Sequence, residues 1–284
     1  MKTQKQTPKL SFLETDSSKT KIFYFVFALA VVLSHLVFMQ LYYGAVTFVG
    51  MKYLHFTQQD FLKYTDLFDA TSFLFLFVIY FALFRFFFPR EKREPLKWKT
   101  WGISHLFGWA AAGISCLWFL LLDHVLSNIP FIAESLKAFN QGMDSIMGGG
   151  TIGFFLATIL FAPVVEEILF RGLVMNALEK AKGPAFAIIG SALLFGIWHG
   201  IFIQSVYTFF LGLFAGFLYY KKRNIMYPIT VHFVNNFLSI LGVFLVEEYH
   251  LDIVDPLSIV LIVPAIYIVI KMIEKSKKEK CLSQ

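Results

Sequence analysis

The sequence predicts an all-α membrane protein that crosses the bilayer several times. Of its 284 residues, 57% are hydrophobic and only 15% are charged, and the mean hydropathy is +0.66. A typical soluble domain is about 45–50% apolar and about 25% charged. Apolar runs recur along most of the chain, and a spanning helix needs about 20 apolar residues. These observations exclude an ordinary soluble domain and favour a polytopic helical protein.

Eight apolar runs are candidates for transmembrane helices. They cover residues 22–43, 70–88, 101–123, 151–178, 184–203, 205–220, 226–246 and 256–271. We divide the region 184–220 near Gln204 because a run of roughly 37 residues is too long for one span. The segment 124–150 then becomes the longest external connection. Its glycines at 148–150 favour a flexible connector, or a gate for access from outside.

The distribution of basic residues predicts the orientation of these spans. Of the 25 Lys and Arg residues, 20 fall on the side of the N-terminus and three on the other side. Lys and Arg are enriched in cytoplasmic loops, so we expect both termini to be cytoplasmic. The net charge is +6, but the basic residues lie in short segments between apolar runs. This pattern is typical of the topology of a membrane protein. We therefore expect the lipid bilayer, and no nucleic acid, as a partner.

Three charged side chains interrupt the apolar stretch FAPVVEEILFRG at 161–172. Glu167 and Arg171 are four residues apart, so they lie on one helical face and can pair. Adjacent residues point about 100° apart, which leaves Glu166 without a local partner. A desolvated carboxyl group has a raised pKa, which suits a general base. Pro163 is predicted to start or kink the helix. The alternative is a paired packing device without chemistry.

Two further apolar stretches carry imidazole and amide groups. His199 ends the stretch FGIWH, and His232 and Asn236 lie four residues apart in HFVNN, with Asn235 pointing away from their face. Ionisable groups within spans are costly and usually functional. His232 and Asn236 can donate two hydrogen bonds to one developing negative charge. The alternatives are a buried structural histidine at His199 and a polar clamp between helices at His232.

Together these residues predict activation of a water molecule and stabilisation of a tetrahedral intermediate. Glu166 would take the proton from water, His199 would help to hold that water, and His232 with Asn236 would form the oxyanion site. We consider no cofactor certain. A possible metal site, for zinc, would consist of Glu166, His199 and His232, although no HExxH motif is present.

The motifs EEILFR, FGIWH and HFVNN resemble those of the CAAX-processing and bacteriocin-processing membrane proteases, the CPBP or Abi family. They occur in order on successive apolar segments, within about residues 150–245. The resemblance implies eight transmembrane helices and intramembrane hydrolysis of a peptide or membrane-protein substrate. It implies the catalytic residues Glu166, His199, His232 and Asn236. Glu167 and Arg171 would support them, and a metal requirement stays open.

The resemblance also implies a division of the chain and a location. We expect a cytoplasmic tail at 1–21, transmembrane helices at 22–149, a catalytic core at 150–246, and a last helix with a basic tail at 247–284. A bacterial cell membrane is the expected location. The C-terminal residues CLSQ match a CAAX sequence loosely, which we interpret as coincidence. The alternative functions are a non-catalytic immunity or binding protein and a proton-coupled transporter.

Overall fold

In a computed structural model, residues 18–89, 95–147 and 156–282 are described, and all regular secondary structure in these ranges is helical. We number the helices α1 to α9. They are α1 Ser18–Tyr53, α2 Gln58–Phe87, α3 Trp98–Leu121, α4 Pro130–Met147, α5 (the consecutive segments Leu156–Phe161, Ala162–Glu167, Ile168–Met175 and Asn176–Lys182), α6 Pro184–Trp198, α7 Phe202–Lys222, α8 Met226–Tyr249 and α9 Val254–Leu282.

The predicted class, an all-α polytopic membrane protein, is confirmed. Within the described ranges, six helices are long and apolar enough to cross a membrane. These are Ser18–Tyr53, Leu67–Phe87, Trp98–Leu126, Phe202–Lys222, Met226–Tyr249 and Val254–Glu279. Helix α6 is apolar but has only 15 residues, and α5 is interrupted by charged side chains and changes of helical pitch. The count of eight spans and the cytoplasmic termini stay predictions.

The region 184–220 is divided into two helices, as the sequence predicted. The division lies at residues 199–201, slightly before the expected position at Gln204. Helix α6 ends at Trp198, and the chain turns at Gly200, whose φ of 75° lies in the left-handed region that glycine adopts without strain. His199 therefore lies at the C-terminal cap of α6, where its side chain is held close to the helix end.

The connection at 124–150 contains a helix that the sequence analysis did not predict. Helix α4 packs against α7 and against the end of α3. Phe131 lies 5.2 Å from Phe202 and Phe139 lies 5.4 Å from Phe119, measured between ring centroids. Part of this connection is therefore a regular helix, and its Ile132 side chain is buried against the bundle. Three parts of the chain discussed above lie outside the described residues. They are the glycines at 148–150, most of the predicted tail at 1–21 and the last two residues of CLSQ.

Small residues let the long helices approach each other closely. A Cβ atom added to Gly113 of α3 would lie only 2.2 Å from the backbone oxygen of Ser258 in α9. One added to Gly108 would lie 2.6 Å from Cβ of Val234 in α8. Close approach of backbones through small residues is how helices associate in lipid, where the hydrophobic effect supplies no driving force between them. Helix α3 therefore packs closely against both α8 and α9.

Helix α5 lies at the centre of the bundle, in contact with α1, α2, α6 and α8. Every residue of its segment Ile168–Met175 is buried, and this segment has the wider π-type turn. Such turns recur at functional sites. Side chains supply donors to its carbonyls: Ser191 Oγ donates to the oxygen of Phe170 at 2.9 Å, and Asn176 Nδ2 donates to the oxygen of Gly172 at 2.8 Å. This central helix carries both glutamates.

Candidate active site

Three helices bring the polar residues of the motifs to one region of the bundle. Helix α5 supplies Glu166 and Glu167, the end of α6 supplies His199, and α8 supplies His232 and Asn236. Glu166 is 7% exposed and Glu167 is fully buried, so both carboxyl groups lie away from bulk solvent. The burial of several ionisable groups in an apolar protein is costly, which is the first indication of a functional site.

The expected pair of Glu167 and Arg171 is present. Arg171 Nη1 donates to Glu167 Oε1 at 2.9 Å, and both side chains are 0% exposed. The guanidinium makes two further contacts, since Nη2 donates to the backbone oxygen of Gly212 at 3.1 Å and the group lies 4.8 Å from the centroid of the Phe195 ring. Two other polar atoms of the pair, Glu167 Oε2 and Arg171 Nε, are buried without a hydrogen-bond partner in the protein. Helices α5, α6 and α7 are therefore joined through one arginine.

Glu167 also binds His232, a contact that the sequence analysis missed. The distance between Glu167 Oε1 and His232 Nδ1 is 3.0 Å. Because this oxygen also accepts a bond from Arg171, we assign it as an ionised acceptor and Nδ1 as the donor. A carboxylate that fixes one imidazole nitrogen determines where the other nitrogen points. The two residues are 65 positions apart in the chain, so local spacing gives no signal of this contact.

Glu166 has a buried carboxyl oxygen, Oε2, that makes no hydrogen bond within the protein. The nearest basic atom is Nε2 of His232, at 3.8 Å, which is too long for a direct hydrogen bond. A water molecule can lie about 2.8 Å from both atoms at once, because their separation is shorter than two hydrogen-bond lengths. Buried polar atoms without a protein partner are commonly satisfied by water in this way.

His199 is fixed at the end of α6 through one ring nitrogen. Its Nδ1 atom donates to the backbone oxygen of Phe195 at 2.8 Å, since a carbonyl oxygen can only accept. In the neutral ring, Nε2 is then the acceptor. The ring lies edge-on to Phe195 and Trp198, with centroid distances of 4.8 and 5.0 Å. Phe195 also lies 5.6 Å from the His232 ring, so one aromatic side chain packs against both histidines.

Asn236 is held by two hydrogen bonds. Its Nδ2 atom donates to the backbone oxygen of Thr158 at 3.0 Å, and its Oδ1 atom accepts from Asn235 Nδ2 at 3.1 Å. One N–H of the Asn236 amide stays available for another acceptor. The expectation that Asn235 points away was wrong. Asn235 is only 4% exposed. It follows His232 by three positions, and residues three apart on a helix are neighbours.

The side chains do not form the expected zinc set. Of the residues that the structure describes, no group of three or more His, Cys, Asp or Glu side chains is placed to hold a metal ion. Zinc sites have at least three protein ligands. The arrangement does not fit this requirement, and the mechanism below uses no metal.

Comparisons with known proteins give the same family that the motifs suggested. Residues 148–238 match a family model described as "Type II CAAX prenyl endopeptidase Rce1-like". The chain is also 24% identical over 196 residues to the "Putative membrane peptidase YdiL" of Bacillus subtilis (strain 168), which covers 68% of this chain and 78% of that relative. No solved structure matches the chain.

The resemblance to CAAX-processing membrane proteases is therefore confirmed. The matched segment contains Glu166, Glu167, Arg171, His199, His232 and Asn236. Together with the apolar helices, the matches identify a multi-pass integral membrane protein. At the level of the family they support a CAAX-type membrane protease.

Proposed function

We propose that this chain is an intramembrane endopeptidase in which Glu166 activates a water molecule to hydrolyse a peptide bond. One observation carries the proposal. The Glu166 Oε2 atom is buried without a protein partner and lies 3.8 Å from His232 Nε2. This separation fits one shared water molecule, which a carboxylate can deprotonate as a general base. In this proposal, the water molecule is the nucleophile and Glu166 is the base.

The proposed reaction proceeds in two steps. In the first step, Glu166 accepts a proton from the water as the water oxygen bonds to the substrate carbonyl carbon, which gives a tetrahedral oxyanion. In the second step, protonated Glu166 returns the proton to the substrate nitrogen, and the carbon–nitrogen bond breaks. The products are one carboxyl group and one amine, so one water molecule is consumed and the enzyme is regenerated. General acid–base catalysis of this kind contributes about 10²–10⁴-fold.

Two N–H groups on α8 would stabilise the oxyanion. His232 would donate through Nε2, while its Nδ1 atom stays bonded to Glu167 at 3.0 Å. Asn236 donates through the N–H that it does not use for Thr158. Donors aimed at a developing charge in a water-poor site contribute strongly to catalysis. Glu167 and Arg171 act in support, since they hold the His232 ring in position.

His199 would help to hold the attacking water. Its Nδ1 atom is occupied by the backbone oxygen of Phe195 at 2.8 Å, so Nε2 is the atom available as an acceptor. Edge contacts with Phe195 and Trp198 restrict the ring, which makes it a fixed partner rather than a mobile one. A water bonded to both His199 and Glu166 would be oriented for attack, and orientation of reacting groups lowers the barrier.

The family and the relative indicate the kind of substrate. The relative is called a membrane peptidase and the family a CAAX prenyl endopeptidase. We therefore propose a peptide or membrane-protein substrate that reaches the site at the bilayer, and the cell membrane of a bacterium as the location. The buried site is consistent with this, because α5 lies among apolar helices.

The test compares peptide termini in the membranes and medium of cells that express three forms of the chain at matched levels. The forms are the native chain, Glu166→Gln and Glu179→Gln. Glu179 is a matched control because it lies on the same helix but pairs with Arg223, 2.5 Å away and partly exposed. We expect new termini with the native chain and the control, and their absence with Glu166→Gln. Identical profiles in all three would refute the protease and favour a non-catalytic binding or immunity protein.

A further inference from the structure

Two adjacent asparagines on α8 form a chain of hydrogen bonds with the start of α5. Asn235 Nδ2 donates to Asn236 Oδ1 at 3.1 Å, and Asn236 Nδ2 donates to the backbone oxygen of Thr158 at 3.0 Å. Asn235 is buried, at 4% exposure, and its Oδ1 atom has no partner in the protein. The mechanism above uses Asn236 but gives Asn235 no role.

Pro163 removes one possible backbone donor to the carbonyl of Thr158. Thr158 lies in the π-type segment Leu156–Phe161, a kind of helix in which carbonyls bond to the N–H five positions later. The fifth residue after Thr158 is Pro163, which has no backbone N–H. Asn236 supplies the donor instead. Because Pro163 cannot donate, the Thr158 carbonyl is open to a side-chain donor, and Asn236 binds there.

This acceptor fixes the orientation of both amides. A carbonyl oxygen can only accept, so the side of Asn236 that faces Thr158 must be the NH₂ group. Its Oδ1 atom therefore faces Asn235, and Asn235 must in turn present its own NH₂ group. An exchange of nitrogen and oxygen at either residue would bring two acceptors together. The hydrogen bonds can therefore run in one direction only, from Asn235 to Asn236 and from Asn236 to Thr158.

We propose that Asn235 is a positioning residue that holds the amide of Asn236 with its second N–H available to the substrate oxyanion. This inference rests on the proposed function, in which Asn236 stabilises that oxyanion. Without the donor from Asn235, the Asn236 side chain is held at one atom only and can rotate away from the reacting carbonyl. Stabilisation of a developing charge depends on donors that are already in place, so a rotating amide loses catalytic effect.

The neighbours of Asn235 show why a packing role is insufficient. On the same helix, Val231, Val234 and Leu238 are buried apolar residues. An apolar side chain at position 235 would satisfy the packing, and it would not leave a buried oxygen without a partner. A buried polar atom without a partner is destabilising, so packing alone does not explain an amide at this position.

The test uses near-isosteric variants and a peptide taken from the termini experiment as reporter substrate. Asn235→Asp keeps the shape of the side chain but presents only acceptors to Asn236 Oδ1 when ionised. We expect kcat to fall by about 10- to 100-fold, less than the roughly 10²–10³-fold for removal of an oxyanion donor, with KM unchanged. Asn176→Asp is the matched control, because Asn176 binds Gly172 and Tyr219 away from the amides of α8. It should retain kcat in the folded protein.

A double-mutant cycle separates positioning from general destabilisation. In the Asn236→Ala background, Asn235→Asp should cause no further loss of kcat, since the residue through which it acts is gone. Equal losses in both backgrounds, or an unchanged kcat for the single variant, would overturn the proposal. A rise in KM without a fall in kcat would also overturn it, because it would assign Asn235 to substrate binding.

A structural measurement keeps this inference separate from the proposed function. If the native chain and Glu166→Gln release the same products, the protease itself is refuted, and kinetics no longer apply. An experimental structure of Asn235→Asp should then show the Asn236 amide rotated and its bond to Thr158 broken. Retention of that bond, now at 3.0 Å, would refute the positioning role whatever the activity of the protein.

Discussion

Replacement of Arg171 by methionine tests the buried ion pair. Methionine is unbranched and fills a similar space, but it leaves Glu167 buried without its cation. Both side chains of the pair are 0% exposed, and their atoms lie 2.9 Å apart. Removal of one partner of a buried pair costs about 3–5 kcal/mol. We expect a loss of this size in the free energy of unfolding, and the oxygen of Gly212 also loses its donor.

The double variant Arg171→Met/Glu167→Gln gives the sharper result. Glutamine removes the unpaired charge, and its side-chain oxygen can still accept from His232 Nδ1, now 3.0 Å from Glu167. We expect the double variant to regain about 1–3 kcal/mol relative to Arg171→Met, a usual coupling energy for residues in contact. The second substitution should therefore stabilise a protein that the first one destabilised.

The assay is equilibrium unfolding by SDS titration of the protein in detergent micelles, followed by near-ultraviolet circular dichroism. Arg223→Met is the control, since Arg223 pairs with Glu179 where the two side chains are 40% and 23% exposed. Such a pair contributes about 1 kcal/mol or less. If the double variant is instead less stable than Arg171→Met, the buried charge of Glu167 is not what destabilises the single variant, and our explanation of the pair is refuted.

Three further predictions concern packing, a second buried polar contact and metal dependence. Gly113→Ala should cost about 1–3 kcal/mol or more in the same SDS titration, because its Cβ would lie 2.2 Å from the Ser258 oxygen; an unchanged midpoint would contradict the close packing of α3 and α9. Tyr80→Phe removes the partner of His35 Nδ1, 2.9 Å away, and should cost about 1–3 kcal/mol while kcat toward the reporter peptide is kept; a lost kcat would show that this contact supports the site. Dialysis against a chelator should leave that kcat unchanged, and recovery of a lost activity by added zinc alone would contradict the metal-free mechanism.

The sequence was sufficient for the class of fold and for most of the helices. Composition and apolar runs depend on single residues and short windows, which the sequence contains in full. The run at 184–220 illustrates this, since its length alone required a division, and the chain turns at Gly200. Helix α4 contains no long apolar run, because it is amphipathic. Pro130 at its first position and the spacing of Phe131, Ile132 and Leu136 were the available signals.

The site was predictable in its residue types but not in its contacts. The pairing of Glu167 with Arg171 follows from a spacing of four residues on one helix. The bond from Glu167 to His232 joins residues 65 positions apart, and only packing of α5 against α8 brings them together. The same packing places Asn236 on Thr158, across 78 positions. Periodicity describes one helix at a time, so it gives no information on which faces of two helices meet.

The central claim is that Glu166 performs the chemistry, and one measurement tests it most directly. Native protein and Glu166→Gln are purified, reconstituted in liposomes and given the reporter peptide under saturating conditions, with cleavage followed by mass spectrometry. We expect kcat to fall by about 10²–10⁴-fold in the variant, while its SDS unfolding midpoint stays close to that of the native protein. A variant that is folded and cleaves the peptide at a rate close to the native one would contradict the account.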